Sequence, residues 1–176
     1  GTVVSVREAA NGMRALAQNG LDAQQSLAAL PAVLNLATVG ELSVADAALS
    51  ATGVLTAFNL KLSDLERVGD VFAKAAASSN TSVAAMTESM KTASTASSLF
   101  GVSLEQTSAS IGIMAKLNIT GSAAGTAFRN ILKDLYEPTN KQASALKAMG
   151  VETRTASGQL KDYVLILEDI REKTAK

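Results

Sequence analysis

Two groups of residues in this chain of 176 have the types and spacing that could do chemistry. The first is Gly121 to Thr126, GSAAGT, a glycine-rich run at a helix start, where backbone N–H groups could cradle a phosphate. It lacks the Lys-Ser/Thr ending of a phosphate loop and the full dinucleotide pattern, and no strand signal precedes it. Close approach of two helix backbones is therefore the stronger reading. The second group is Asp64, Glu66, Arg67 and Asp70, where helical spacing sets Asp70 beside Glu66 and Arg67 and offers paired carboxylates for proton transfer. A solvated charged face accounts for the same residues. Between these stands a third reading. Asp70 follows the stripe of Val68 and Phe72, Arg129 flanks Phe128, and a partly buried Asp70–Arg129 ion pair would fix how two helical units dock.

Composition narrows the chemistry further. The chain holds no His and no Cys, which removes the commonest general base, the commonest zinc ligand, thiolate catalysis and disulfides. No nucleophile, base and oxyanion donors converge, so no catalytic residues, cofactor or metal are expected and the chain does not read as an enzyme. Sixteen basic side chains balance sixteen acidic ones, which leaves no long-range pull toward nucleic acid or an anionic membrane. The longest weakly charged apolar run, 28–39, is broken by Pro31 and Asn35 and is too short to span a bilayer. A soluble segment is expected.

These residues must be positioned by helices. Apolar residues make up 47% of the chain but aromatics only 3%, so the core must be built from Ala, Leu, Val, Ile and Met, which suits close helix packing. A first helix is predicted from Ser5 to Gln18 with Val6, Ala10, Met13 and Ala17 inward, and a second from Asp22 to Leu36, kinked or divided at Pro31. Ser43 caps a third, whose stripe ends at Phe58, and Ser63 a fourth, carrying Leu65, Val68, Phe72 and Ala76. Ser82 opens a fifth, which Gly101 stops. Ser103 caps a sixth, Asn118 to Gly121 turn the chain, and Ser122 caps a seventh with Ala124, Ala127, Phe128, Ile131, Leu132 and Leu135 on one face. In this hairpin Gly121 and Gly125 form a small-residue corner. A short helix follows from Asn140 to Met149, then the loop VETRTASGQL, then a last helix with Leu160, Tyr163, Val164, Leu167 and Ile170 inward.

The fold class is accordingly all-α: antiparallel helical hairpins packed as a bundle or short solenoid. Placing Phe58 on Phe100 also aligns Leu62 with Leu104 and Lys74 with Lys116, and Ser43-Val44-Ala45 falls on Ser82-Val83-Ala84. A two-helix repeat of about 40 residues is one reading of these matches, and chance identity in an alanine-rich chain is the other. From Ala75 to Ile111 only Glu88, Lys91 and Glu105 are charged. That stretch reads either as a buried helix hairpin or as a surface meant for other copies of the chain or an enclosing tube.

GSAAGTAFRNIL, together with DAALSATGVLTAFNLKLSDLERVGDVFAKAAASSNTSV at 46–83, resembles the core of the tail tape measure proteins (phage-related minor tail proteins) of long-tailed bacteriophages and prophages. The likeness runs from about Asn19 to Val151 and is less distinct from Glu152 onward. Residues 1–150 are thus expected to form the helical-hairpin core, and 151–176 a loop and amphipathic helix. Family proteins are far longer than this chain. The resemblance implies a structural segment involved in tail assembly and tail-length determination inside the tail tube. It implies tail tube protein, tail assembly chaperones and tail-tip proteins as partners, and self-association is a further expectation. The location it implies is the virion tail, with the host cytoplasm before that. An all-helical module of a secretion-system or toxin protein is the alternative that residues alone would allow.

Overall fold

Capping chemistry sets the outline of the structure, a computed structural model that describes residues 5–174. Ser5, Asp22, Ser103 and Thr139 each accept from the backbone N–H three residues on, and a Glu or Gln there bonds back, closing reciprocal capping boxes. Ser43 and Ser82 cap through their hydroxyls alone. The helices so begun are α1 (Val6–Gln18), α2 (Ala23–Gly40), α3 (Val44–Ala57), α4 (Leu65–Ala77), α5 (Val83–Leu99), α6 (Leu104–Lys116), α7 (Gly121–Tyr136), α8 (Asn140–Ala148) and α9 (Tyr163–Thr174). Among the described residues no strand forms, and a single antiparallel bridge joins Arg154 to Leu160. The protein is all-α.

Six corners share one construction. Gly20, Glu41, Asn59, Gly101, Asn118 and Gly150 take left-handed φ values between 50° and 90°. The apolar residue that follows each then donates its N–H to a carbonyl five residues back, as from Leu60 to Leu55 and Val102 to Ser97, both at 2.8 Å. This pattern satisfies the last carbonyls of a helix while reversing the chain within three or four residues.

The reversals stack the helices in two rows. In one row α1 packs on α3, α3 on α5 and α5 on α7; in the other α2 packs on α4 and α4 on α6. From α1 to α7 each helix also packs on its neighbours in sequence, across the rows. Ser5, Ser43, Ser82 and Thr120, the capping residues of the first row, recur roughly 40 residues apart, as two-helix repeats do. Helix α5 runs 17 residues against 14 in α3. The extra turn lengthens the register along the repeat, which is why Ser43 falls on Ser82 but Phe58 on Phe100 three residues out of step. Leu16, Val33, Val68, Phe72, Met86, Phe128, Leu132 and Ile166 are wholly inaccessible and form the core between the rows.

The residues after Gly150 close over the open end. Tyr163 of α9 meets Phe128 edge-on at 5.6 Å, and its hydroxyl lies 3.4 Å from Ser110 Oγ on α6. Tyr136 donates to the Lys161 carbonyl at 2.9 Å, and Arg154 donates to the Tyr136 carbonyl at 3.2 Å. Helix α8 buries no residue of its own and leans on the core through Leu146.

Several expectations about faces and caps are corrected. Helix α1 turns Gly12, Ala15 and Leu16 inward and leaves Val6, Ala10 and Ala17 exposed; a Cβ at Gly12 would strike Leu30 and Val44, so a glycine belongs to the packed stripe. Ser63 does not cap α4, whose start is a 3₁₀ turn at Leu62–Asp64, closed by the Lys61 N–H donating to Asp64. Thr120, not Ser122, precedes α7. Ile131 is exposed, and α9 buries Tyr163 and Ile166 while Val164 and Leu167 face outward. Pro31 lies exposed within α2, which runs through it as one helix.

Candidate functional site

The glycine-rich run lands against α5. Gly125 is buried, and a Cβ there would overlap Thr92 Oγ1 and the Ser89 carbonyl and come 2.9 Å from the Ser89 carbonyl carbon. Ser89 Oγ donates to the Gly121 carbonyl, at 2.7 Å, or to the Ala85 carbonyl of its own helix, at 2.9 Å. Gly121 itself has open space where a side chain would go, and a φ of +60°. The two glycines therefore differ in role: Gly125 permits contact between backbones, and Gly121 permits a backbone conformation. Phe72 and Phe128 are wholly buried, whereas Phe58 sits half-buried at its corner, just ahead of left-handed Asn59. Phe100 stands at the equivalent place ahead of Gly101 and stacks on Tyr136 at 5.0 Å.

The charged group on α4 is a solvated face. Glu66, Arg67 and Asp70 are exposed, and Arg67 bridges Asp64, at 3.5 Å, and Glu105 of α6. The Asp70–Arg129 pair does not form. Both residues are exposed and no ion pair joins them, because α4 docks on α2, α3, α5 and α6 while α7 docks on α5 and α6. The cross-link between units is Arg67–Glu105, one repeat apart, on helices of the same row.

Sequence periodicity in apolar residues did not reveal the hydroxyls inside the stack. Ser50, Thr52, Thr87, Ser89, Ser94, Ser97, Thr107, Ser108 and Ser110 are all buried. Most return their hydroxyl to the carbonyl four residues earlier: Thr52 to Ala48 and Ser94 to Met90 at 2.7 Å, Thr87 to Val83 and Thr107 to Ser103 at 2.8 Å. The weakly charged stretch from Ala75 to Ile111 thus buries one face, hydroxyls included, and leaves another exposed, with Leu99 at 72%. Ser50 and Ser108 are the exceptions, with buried hydroxyls that meet no partner.

Two buried tyrosines hold their protons more tightly than usual. Burial, with the nearby Asp162 carboxylate adding to it, pushes the Tyr136 hydroxyl up to about 12. Burial also raises Tyr163, against the hydrogen bond with Ser110. Both hydroxyls are engaged in structural contacts, Tyr136 with the Lys161 carbonyl and Tyr163 with Ser110. Among the described residues no three His, Cys, Asp or Glu side chains come together as metal ligands. No single helix among them is long and apolar enough to cross a membrane.

Comparison with known proteins follows the same line. The family model described as phage-related minor tail protein matches residues 1–176, including the part after Glu152. The chain is 39% identical over 159 residues to the tape measure protein of Pneumococcus phage Dp-1, which covers 90% of this chain and 14% of that protein. It is 31% identical over 170 residues to the probable tape measure protein of Escherichia phage P2, covering 97% of this chain and 21% of that protein. The chain therefore spans a small part of the length of the relatives it matches. No solved structure matches it.

Proposed function

The chain belongs to the phage-related minor tail protein family, and from that premise we propose that it is a folded assembly element of a tail tape measure protein and not a length of extended tape. The six left-handed corners carry this reading. Stretched as one helix, 176 residues would reach about 260 Å at ~1.5 Å per residue. That helix would hold five of these glycines or asparagines in its interior, at about 1 kcal/mol each for glycine relative to alanine, and would forgo the core shared by the two rows. The folded stack is the lower state by both accounts.

In this reading the parent protein acts within the tail tube, where its full length sets the length of the tail, and in the host cytoplasm this segment engages tail assembly chaperones, tail tube protein or tail-tip proteins as the tail is built. Surfaces for such contacts are available, since Leu27, Leu99, Ile113 and Leu117 are each more than half exposed. Self-association belongs to the same proposal. Catalysis does not.

An in-frame deletion of Gly20–Gly150 in the parent gene tests it. The expected outcome is loss of tails. Infective particles whose tails are shortened by the helix length would overturn the reading and make this segment part of the ruler.

A further inference from the structure

Counted from the residue that precedes each helix, Ser5, Ser43, Ser82 or Thr120, one contact recurs through the row α1–α3–α5–α7. The fifth, eighth and twelfth residues make a stripe that lies on the helix before it in the row. In α3 the stripe is Ala48, Ala51 and Leu55, and in α5 it is Thr87, Met90 and Ser94, all buried. In α7 it is Gly125, Phe128 and Leu132, again buried. The seventh and eleventh residues of the earlier helix receive it: Gly12 and Leu16, Ser50 and Val54, Ser89 and Ala93, likewise buried. A Cβ at Gly125 would overlap the Ser89 carbonyl, and one at Gly12 would strike Val44, the first residue of α3. Thr87 and Met90 share a groove with Ser50 and Val54. Three seams are therefore built alike.

Each half of this contact is left over once. The stripe of α1 is Ala10, Met13 and Ala17, led by Val6, and it has no helix before it. Ala10 and Ala17 are exposed, Met13 is half-buried and Val6 is 88% exposed. Helical periodicity places this stripe inward, and inward is where the same positions of the other three helices lie. At the far end the receiving residues of α7 are Ala127, half-buried, and Ile131, 38% exposed. Helix α9, which covers Phe128 at that end, leaves Val164, Leu165 and Leu167 uncovered beside its buried Ile166. Both leftover halves are apolar and uncharged.

We propose that copies of this chain stack head to tail, with the stripe of α1 in one copy lying on Ala127 and Ile131 of α7 in another, as α7 lies on α5. The row then runs on from chain to chain through a fourth seam of the same kind. Such a contact joins two different surfaces, so each copy keeps one free half at either end, and the assembly grows as an open stack or closes into a ring. The proposal names the surfaces for the self-association included above and rests on that reading.

Sedimentation of the full chain over a concentration series tests it, and the mass is expected to climb past that of one chain. Ala10→Arg blocks the head and Ile131→Arg blocks the tail, each at an exposed position. Each variant keeps the helical circular dichroism of the native chain and sediments as a single chain. Mixed in equal amounts, the two pair and stop there, because the free head of one meets the free tail of the other, and the mass doubles. Should either variant fail to fold, Val6→Arg and Ala127→Arg take their places. A single-chain mass for the native protein at every concentration overturns the proposal and leaves the stripe to another helix of the parent protein. Association that survives either substitution overturns it too, as do variants that do not pair on mixing. No tail is needed for the measurement, so its failure leaves the role in assembly to its own deletion test.

Discussion

Replacing Gly125 with alanine adds one carbon at the place where α7 touches the backbone of α5. The new atom would overlap the Ser89 carbonyl oxygen and Thr92 Oγ1. A side chain could swing aside, but a helix carbonyl cannot, so α7 must move off. Overpacking of this kind costs about 1–3 kcal/mol. The shift also pulls the Gly121 carbonyl away from Ser89 Oγ, a loss of roughly 1 kcal/mol. Alanine returns about 1 kcal/mol of helix propensity. The net fall is about 1–3 kcal/mol, or roughly 3–10 °C in midpoint for a chain of this size, and Gly125→Leu loses more. Thermal unfolding followed by far-ultraviolet circular dichroism measures it. Gly69→Ala on α4 is the control: a Cβ there meets nothing within 4 Å, so propensity alone operates and stability rises by up to about 1 kcal/mol. The two substitutions must therefore move the midpoint in opposite directions. A rise for Gly125→Ala would refute the claim that this glycine sets the spacing of α5 and α7.

Gly121→Val meets open space but requires a φ of +60°, so it destabilises by about 1–2 kcal/mol through backbone strain, seen in the same melting assay. Asp70→Ala and Arg129→Ala, both on exposed positions, are additive and each falls within about 0.5 kcal/mol of wild type; a coupled cycle would mean that the two helices do meet. Arg67 and Glu105 couple instead by about 0.2–1 kcal/mol, a value that fades as salt is raised. The folded Tyr136 is held above its ordinary value, at about 12, and its O–H donates to Lys161. The folded state therefore holds this proton more tightly than the unfolded chain does. That contribution is complete below about pH 10 and is lost as the pH rises toward 12, and Tyr136→Phe should flatten this alkaline loss in pH-dependent denaturation. Tyr163→Ala removes a buried ring packed on Phe128 and costs about 3–5 kcal/mol; limited proteolysis should then cut between Glu152 and Asp162.

Local signals were the legible ones. Ser43 and Ser103 as caps, Ser82 as a helix start, and Gly101, Asn118 and Gly150 as stops, depend on three or four neighbouring residues, and the structure uses each of them in that way. Faces were harder wherever hydrophobicity did not discriminate. In α1 four alanines surround the helix, and the packed stripe includes Gly12, which no apolar count selects. In α9 the run YVLIL is apolar on every side, so Ile166 cannot be told from Val164 or Leu167 before its neighbours are known. The Asp70–Arg129 pairing failed for a different reason: it needs the order in which helices stack, and each of the two residues reports only its own helix. The Gly125 contact showed in the small residues about it, but the hydroxyls of Ser89 and Thr92 beneath it could as well have faced water.

Those buried hydroxyls have a bearing on what happens when helices part. Thr52, Thr87, Ser94, Ser97 and Thr107 spend their protons on carbonyls of their own helices. Pulling one helix off another therefore breaks few hydrogen bonds between them, and most of the donors carried out are already spoken for. What binds these rows together is shape and the exclusion of water. A helix drawn out of the stack remains a finished object, its polar groups closed upon themselves, ready to be laid against any other surface of fitting contour.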